Sequence, residues 1–352
     1  MELLPFFIEK DKNYIFYPGN RELEGLLNGK KINLFGHNYF YGNLEEIEDF
    51  IKVFPEKYRD LSLKFLEDFL NPPDFFSVKD KKFDLKRLNI IGILNVTPDS
   101  FSDGGLYFEK DKAVERGIKL EEEGADILDI GGQSTRPGSE EISEEEELKR
   151  VIPVLEKLTK RIKIPISIDT TRAKVAEEAF YAGASILNDI SALHFDEKME
   201  GFLEKWKPSV ILMHIKGKPK DMQENPRYDH LPLEILSFLK EGLDRAKKCG
   251  LEKEKILVDP GIGFGKTFED NLWIINNLSF LKVLGAGILI GTSRKSFIGK
   301  IMGGRPDERV YGTLASNLIS FRKGAGFLRV HDVKAHRDFF KVLEHIENAK
   351  LV

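Results

Sequence analysis

Eight short apolar segments alternate with longer amphipathic stretches between Asn89 and the end of the chain. The segments are Asn89–Leu94, Ile127–Ile130, Pro165–Ile168, Ser185–Leu187, Ser209–Met213, Ile256–Val258, Gly287–Ile290 and Phe327–Val330. Between them, apolar residues recur at helical spacing, for instance in Glu144–Lys160, Leu231–Cys249 and Arg309–Lys323. Strands that alternate with helices form a parallel sheet, and eight such units predict a (β/α)8 TIM barrel of the α/β class. A long doubly wound sheet would give a similar pattern.

The beginning of the chain differs in composition from the rest. Residues 1–76 carry 16 of the 37 aromatic residues, and disordered segments are poor in aromatics, so we expect a small folded unit. Within it, Leu44–Phe69 places apolar residues at helical spacing until Asn71, Pro72 and Pro73 interrupt the pattern. We therefore divide the chain into an N-terminal extension, residues 1–75, whose role the sequence leaves open, and a (β/α)8 domain, residues 76–352, in which we expect the functional site.

Charge and cysteine content limit the classes of partner. The 54 basic and 58 acidic side chains give a formal net charge of -4, which is too balanced for a general nucleic-acid binder, so we expect small-molecule substrates. The N-terminus is acidic before any long apolar run, and no apolar stretch has the length of a membrane span, so we expect neither a targeting peptide nor a membrane partner. Cys249 is the only cysteine, which excludes an internal disulfide and predicts a small buried thiol. These features predict a cytoplasmic protein.

Polar residues follow six of the eight apolar segments. They are Asn95, Asp169, Asn188, His214, Asp259 and His331. In a barrel of this kind the active site lies at the carboxyl ends of the strands. Any one of these residues has the ordinary explanation of a helix cap. The six together predict a polar site at the mouth of the barrel.

Two carboxylates and one amide in this set suit a flat heterocycle. Asp169, Asp259 and Asn188 can accept hydrogen bonds from an amino group and ring N–H groups in a row, as a pterin presents them. Lys295 lies in Gly291–Ser296, which predicts a tight anion-binding loop before a short helix. We expect Lys295 to donate to the acceptor edge of the ring, although a solvated surface lysine is the ordinary alternative.

Two segments rich in Gly, Pro, Ser and Asp follow the first two strands. Residues 95–105 and 131–138 are too rich in these types for regular structure, and long loops on this face often act as lids. Arg329 and His331 alternate along the eighth strand, so both point to one side, where a pyrophosphate or another dianion would bind. Gly261–Lys266 has only a superficial similarity to a dinucleotide-binding fingerprint, because the βαβ context with its acidic residue is missing.

Four segments carry a resemblance to a known family. They read GILNVTPDSFSDGG at Gly92–Gly105, DIGGQSTRPG at Asp129–Gly138, SRKS at Ser293–Ser296 and RVHDV at Arg329–Val333, and Pro165–Thr170, Ile186–Asp189 and Asp259–Phe264 agree in order between them. In these segments, and over roughly Phe76 to the C-terminus, the chain resembles the dihydropteroate synthases. Lys216 departs from the glutamine that is usual in the family, and the first 75 residues have no counterpart there.

The resemblance implies a folate-pathway transferase of an alkyl group other than methyl. Such an enzyme joins 6-hydroxymethyl-7,8-dihydropterin pyrophosphate to p-aminobenzoate and releases pyrophosphate, and sulfonamides inhibit it by imitating the second substrate. The reaction needs no side-chain nucleophile. The resemblance further implies Mg²⁺ as cofactor and a homodimer.

The resemblance also assigns roles to individual residues. The implied pterin contacts are Asp169, Asn188, Met213, Asp259, Phe264 and Lys295. The implied p-aminobenzoate contacts are Thr135, Arg136, Pro137 and Ser296, and the implied pyrophosphate contacts are Asn95, Arg329 and His331, with Asn95 also beside the metal. We expect Asn95, Lys295, Arg329 and His331 to be catalytic. A pterin-dependent methyltransferase and a non-catalytic pterin-binding protein remain the alternatives, and the two lid segments favour the synthase over the methyltransferase.

Overall fold

The computed structural model describes residues 4–10, 13–19, 21–24, 31–34, 36–97, 106–135 and 138–349. The strands are β1 (Phe6–Lys10), β2 (Asn13–Tyr17), β3 (Lys31–Leu34), β4 (His37–Gly42), β5 (Phe75–Val78), β6 (Lys81–Asp84), β7 (Asn89–Asn95), β8 (Ile127–Gly131), β9 (Ile166–Asp169), β10 (Ile186–Asp189), β11 (Ser209–Met213), β12 (Ile256–Asp259), β13 (Gly287–Ile290) and β14 (Phe327–Val330). The helices are α1 (Arg21–Glu24), α2 (Leu44–Lys52), α3 (Glu56–Leu70), α4 (Leu106–Glu122), α5 (Glu144–Leu158), α6 (Ala173–Tyr181), α7 (Met199–Trp206), α8 (Leu231–Lys248), α9 (Phe268–Asn276), α10 (Ser296–Met302), α11 (Val310–Arg322) and α12 (Val333–Glu347). Short 3-10 helices span Lys253–Lys255, Leu278–Leu284 and Pro306–Glu308. Within these ranges, no helix is both long and apolar enough to cross a membrane.

Strands β7 to β14 close into a parallel barrel in chain order, with β14 hydrogen-bonded to β7. The predicted (β/α)8 barrel is confirmed, and the doubly wound alternative is excluded. Several strands run one or two residues further than their apolar segments, so Asn95, Asp169 and Asp259 are the last strand residues rather than the first loop residues. The backbones of these three residues still pair in the sheet, although their side chains are polar. A strand end that is predicted from where the apolar residues stop therefore falls too early.

A hairpin fills the amino end of the barrel. Strands β5 and β6 pair antiparallel, and Phe76 and Val78 are buried against Ile127, Ile186 and Phe327, the first residues of three barrel strands. The rings of Phe76 and Phe327 meet edge to face with centroids 5.4 Å apart. Because apolar side chains occupy this end, polar chemistry is left to the carboxyl end of the barrel.

Four antiparallel strands in the order β1-β2-β4-β3 form the N-terminal sheet, and α2 and α3 follow it. The helical pattern predicted for Leu44–Phe69 is confirmed, but it divides into two helices, because Pro55 has no N–H for a continuous helix. Helix α2 begins with a capping box, in which Asn43 Oδ1 accepts the Glu46 N–H at 2.9 Å and Glu46 Oε2 accepts the Asn43 N–H at 2.9 Å.

The N-terminal sheet packs against the side of the barrel and shares its core. The ring of Phe6 meets that of Phe280 with centroids 6.5 Å apart, and Glu9 donates its N–H to Ser279 Oγ at 3.3 Å. Residues 278–284, which receive these contacts, form the 3-10 helix between α9 and β13. The extension therefore covers an apolar side of the barrel, while the division of the chain at residue 75 stays a prediction.

A chain that begins at Pro73 is expected to aggregate. It would expose Phe280 and its apolar neighbours, and exposed apolar patches of this kind drive association. Size-exclusion chromatography of the shortened and full-length chains under the same conditions checks this. A shortened protein that stays monodisperse and fully active would show that the barrel does not depend on this cover.

Candidate active site

A cavity of about 890 Å³ opens at the carboxyl ends of the barrel strands. Among the predicted residues that the structure describes, all except His214 line it: Asn95, Thr135, Asp169, Asn188, Met213, Asp259, Phe264, Lys295, Ser296, Arg329 and His331. All eight strands, or the loops that follow them, contribute to this set. Arg136 and Pro137 of the predicted p-aminobenzoate site, and lid residues 98–105, lie outside the described residues.

Arg329 pairs with two carboxylates, that of Asp169 in the cavity lining and that of the fully buried Asp129. Its Nε donates to Asp129 Oδ2 at 2.7 Å, and its Nη2 donates to Asp169 Oδ2 at 2.8 Å. Asn188 Nδ2 donates to the same Asp129 oxygen at 3.0 Å. Asp129 is fully buried, so these contacts compensate for the water that its charge has lost.

Burial and ion pairing act in opposite directions on the pKa of Asp169, and likewise on the pKa of Arg329. Burial raises the pKa of Asp169 to about 7, against the lowering effect of Arg329. Burial alone would lower the pKa of Arg329, but Asp129 and Asp169 outweigh it and raise that pKa above its usual value. Arg329 therefore keeps its charge, while burial works against the charged form of Asp169.

Asp259 forms a second acidic wall of the cavity. Its Oδ1 accepts the N–H of Gly261 at 2.7 Å, and burial raises its pKa to about 6. Gly261 has a φ of +69°, and a Cβ there would lie 1.9 Å from the carbonyl oxygen of His214. Since only glycine fits this turn, the turn itself fixes the Asp259 carboxylate.

Lys295 faces an apolar wall inside the cavity. Its Nζ lies 4.2 Å from the centroid of the Phe264 ring, and burial lowers its pKa to about 8. The alternative of a solvated surface lysine is therefore wrong. Phe264 packs with Met213 and Met222 in one buried cluster. A flat ring in this space would meet polar groups at its edges and apolar side chains on one face.

His331 lies at the rim beside Arg329. The Nδ1 atom of its ring is 3.0 Å from Ser293 Oγ, and its backbone N–H donates to the same oxygen at 3.2 Å. Burial, followed by the nearby Arg294, lowers the pKa of His331 to about 3. His331 is therefore neutral at physiological pH. The positive charges on this side of the cavity come from Arg329, from Arg294 and from Arg116, whose Nη2 donates to the His331 carbonyl at 2.9 Å.

The loop between β13 and α10 is held in an uncommon conformation. Arg294 has a φ of 60°, which costs a residue with a Cβ about 1–3 kcal/mol. Its guanidinium donates to both Asp332 oxygens, at 2.5 and 3.1 Å, and its N–H donates to Thr313 Oγ1 at 3.2 Å. These contacts fix the loop with Lys295 and Ser296 facing the cavity.

Contacts also hold the loop between β8 and α5 close to the cavity. Arg150 Nη1 donates to the Gly132 carbonyl at 3.1 Å, and the Gly138 N–H donates to the Pro219 carbonyl at 3.1 Å. Thr135 lies between these two anchor points and lines the cavity. The parts of the predicted second lid that the structure describes are thus attached to the barrel and to the β11–α8 loop.

His214, which was predicted to face the mouth, lies behind the cavity wall instead. Its Nδ1 is 2.9 Å from Lys266 Nζ, which also donates to the Phe264 carbonyl at 3.0 Å. Burial is the largest cause that lowers the pKa of both groups, that of Lys266 to about 7. Successive side chains along a strand point to opposite faces, and Met213 at the end of β11 faces the cavity, so the His214 side chain points away from it.

Asp129 does not line the cavity, but it holds Arg329 and Asn188, which do, and it was not predicted because it does not lie at a strand end. Asp129 lies inside β8, between Leu128 and Ile130. An acidic residue within an otherwise apolar strand is itself a usable signal, because buried acids are almost always paired. Arg116, Met222 and Arg309 line the cavity itself without having been predicted.

Asn95 was predicted to lie beside a metal. Its side chain lines the cavity, and among the described residues no group of three or more His, Cys, Asp or Glu side chains is arranged to hold a metal ion. Mg²⁺ commonly binds through few protein oxygens together with substrate phosphates, rather than in a cage of side chains. The Asn95 amide oxygen fits such a role.

Comparison with known proteins relates the chain to one family. Residues 91–331 match the model of a family described as pterin binding enzyme. A dihydropteroate synthase of Synechocystis is 46% identical over 282 residues, which cover 79% of this chain and 96% of the relative. A dihydropteroate synthase of Bacillus subtilis is 44% identical over 276 residues, covering 78% of this chain and 92% of the relative.

Solved structures agree with this relationship. A Yersinia pestis dihydropteroate synthase in complex with a sulfonamide drug has a TM-score of 0.73 and 41% identity, covering 78% of this chain and 100% of that chain. A dihydropteroate synthase from Xanthomonas albilineans in complex with 7,8-dihydropteroate has a TM-score of 0.71 and 39% identity, covering 78% and 100% respectively. The family match contains every cavity residue that was predicted from the sequence.

Proposed function

This chain belongs to the dihydropteroate synthases, the pterin-binding transferases of folate biosynthesis, and on this premise we propose how its cavity performs their reaction. The enzyme condenses 6-hydroxymethyl-7,8-dihydropterin pyrophosphate with p-aminobenzoate. The nitrogen of p-aminobenzoate bonds to the exocyclic carbon of the pterin, the bond from that carbon to the pyrophosphate oxygen breaks, and the nitrogen loses one proton. The observation that carries the proposal is one cavity that combines Asp169, Asp259, Lys295 and Arg329.

The pterin lies between the acidic wall and Lys295 in this proposal. Asp169, Asp259 and Asn188 accept from its amino group and ring N–H groups, and Lys295 donates to the acceptor edge. Met213 and Phe264 contact the ring face, which their shared apolar cluster supports. Because burial already disfavours the charged forms of Lys295 and the two carboxylates, hydrogen bonds from the pterin would replace water that these groups have partly lost.

The pyrophosphate leaves toward Arg329, His331 and Asn95. Its departure from a carbon beside the electron-rich dihydropterin gives a cation that the ring delocalises, so the protein has only to hold the ring and stabilise the departing anion. The Arg329 guanidinium supplies charge, and neutral His331 supplies a hydrogen bond. This division of roles requires no activated serine or cysteine, in keeping with Cys249, which is buried.

The second substrate binds at the rim nearest the β8–α5 and β13–α10 loops. Thr135 and Ser296 line this part of the cavity, and Arg136 and Pro137 complete the site in the proposal. The carboxylate of p-aminobenzoate is received by Ser296 and Arg136, since hydroxyl and guanidinium groups both donate to carboxylates. Sulfonamides compete for the same place.

In this proposal the Asn95 amide oxygen would help to hold Mg²⁺ beside the pyrophosphate. The ion would neutralise charge on the leaving group. Chelation of divalent cations is expected to reduce turnover by at least about tenfold, and to leave the affinity for a pterin without pyrophosphate within about twofold. Steady-state rates and pterin titrations, each with and without chelator and with Mg²⁺ added back, check this. Full turnover after exhaustive chelation would remove the metal from the proposal.

The reaction itself is tested with both substrates together. We expect pyrophosphate and 7,8-dihydropteroate to form in equal amounts, and no pyrophosphate to form faster than background when p-aminobenzoate is omitted. A sulfonamide should suppress both products. A pterin-dependent methyltransferase or a non-catalytic pterin binder would release no pyrophosphate, and that outcome would overturn the proposal.

We further place the enzyme in the cytoplasm as a homodimer. The single buried cysteine suits a reducing compartment. Support for self-association comes from large apolar side chains exposed on α10, α11 and α12, namely Ile301, Met302, Tyr311, Ile319, Val342 and Ile346. Sedimentation analysis of the full chain gives the state directly, and a monomer at micromolar concentration would contradict this part.

A further inference from the structure

Four aromatic rings of the N-terminal sheet surround one side chain of the barrel. His230 is 4% exposed, and its ring centroid lies 5.9 Å from Phe6, 4.9 Å from Tyr17, 4.7 Å from His37 and 6.1 Å from Tyr39. These rings come from β1, β2 and β4. Three strands of the extension therefore converge on a single imidazole of the catalytic domain.

Hydrogen bonds fix this imidazole at both nitrogens. Nδ1 of His230 accepts the Leu233 N–H at 3.3 Å, which caps the first turn of α8. Nε2 lies 2.8 Å from Tyr39 Oη. Burial, followed by the nearby His37, lowers the pKa of His230 to about 4, so the ring is neutral. Since Nδ1 accepts, Nε2 carries the proton and donates to the Tyr39 hydroxyl.

His230 ends the β11–α8 loop, residues 214–230, which forms part of the cavity wall. Within this loop, Gln223 Nε2 donates to the Gly263 carbonyl at 2.6 Å, and Tyr228 Oη donates to the Gly265 carbonyl at 2.6 Å. Gly263 and Gly265 flank Phe264, which packs with Met222 of the same loop. A displacement of the loop end at His230 would therefore be transmitted to Met222 and Phe264, on the proposed pterin face.

We propose that the N-terminal sheet positions the pterin-binding wall of the cavity, and that the bond between Tyr39 and His230 is the contact through which it does so. Tyr39 touches no substrate and is a positioning residue. The inference rests on the proposed function, because it assumes that the pterin binds against Met222 and Phe264. It gives the extension, which has no place in the reaction chemistry, a role in substrate affinity.

The test uses Tyr39→Phe in the full chain, which removes the hydroxyl and keeps the ring. We expect the KM for the pterin substrate to rise about threefold to tenfold, as the loss of one buried hydrogen bond allows, with kcat and the KM for p-aminobenzoate within about twofold. Tyr41→Phe is the matched control, since Tyr41 lies on the same strand and, within the described ranges, makes no hydrogen bond to the barrel. It should leave both KM values unchanged.

A second variant, His230→Asn, distinguishes positioning from stability. Asparagine preserves the helix cap but is too short to reach Tyr39. The double variant, Tyr39→Phe with His230→Asn, should raise the pterin KM no more than the more damaging single change does, because both changes remove the same hydrogen bond. The inference would be overturned if Tyr39→Phe left the pterin KM unchanged, or if it raised the KM for both substrates equally. It would also be overturned if the effects of the two changes on the pterin KM were additive, or if the variants lost folded protein while the folded fraction kept a normal KM. If the unaltered chain forms no dihydropteroate, the proposed function fails instead.

Discussion

Arg329→Met is expected to lower kcat/KM by at least about a thousandfold and the free energy of unfolding by about 3–5 kcal/mol. Arg329 pairs with Asp129 and Asp169, and Asp129 has no exposed surface. Removing one partner of a buried ion pair leaves uncompensated charge and costs about 3–5 kcal/mol. The loss of activity follows from the proposed role, since the departing pyrophosphate would lose its nearest cation.

Urea denaturation and steady-state kinetics on the same preparation measure both effects. Arg329→Lys is the matched control, because lysine keeps the charge but cannot donate to two carboxylates in one plane. We expect it to recover part of the stability while kcat/KM stays about a hundredfold low. If Arg329→Met were as stable as the unaltered enzyme, the ion pairs of Arg329 with Asp129 and Asp169 would make no net contribution to the free energy of unfolding.

Asp259→Asn is expected to weaken pterin binding by about a hundredfold or more and yet to stabilise the empty enzyme. An amide at this position sets a donor against the donors of the pterin and leaves a buried group unpaired. Stability changes in the other direction because burial raises the pKa of Asp259 to about 6 from its ordinary 3.8. A folded pKa above the unfolded value contributes stability below pH 4, and this contribution is lost as the pH rises through 6.

At pH 7 the buried Asp259 carboxylate therefore costs about 3 kcal/mol, which Asp259→Asn removes. The substituted amide oxygen can still accept the Gly261 N–H. Thermal unfolding of both proteins at pH 7 and at pH 4 measures the difference, which should nearly vanish at the lower pH. Asp244→Asn, at an exposed position of α8, is the control and should change little at either pH. Lower stability of Asp259→Asn at pH 7, or intact pterin affinity, would contradict the account.

The fold was largely predictable because its repeating unit leaves a strong pattern. Each barrel strand is short, apolar and followed by an amphipathic helix, so the eight segments were placed correctly, although two of them begin one residue early and the last residues of five strands were missed. Those residues, such as Asn95 and Asp259, combine strand backbone with a polar side chain. The N-terminal sheet was not predicted, because its strands pair antiparallel over short distances and their aromatic residues show no single period.

The site was predictable where geometry follows from position on a strand. Strand-end residues and the segments that resemble the family identified the cavity lining, whereas Asp129 inside β8 escaped the same rule. The prediction for His214 was wrong because Met213 already faces the cavity, and the next side chain along the chain points to the opposite side. The contacts of Arg294 with Asp332 and of Tyr39 with His230 join residues far apart in sequence. No local pattern records such pairs, so only the folded chain reveals them.

The most direct test of the central claim is a crystal structure of the full chain with 6-hydroxymethylpterin bound. We expect the amino edge of the ring to face Asp169, Asn188 and Asp259, Lys295 to donate to the opposite edge, and the exocyclic carbon to point toward Arg329 and His331. A pterin bound outside this cavity, or in it with the amino edge turned toward Lys295, would contradict the account.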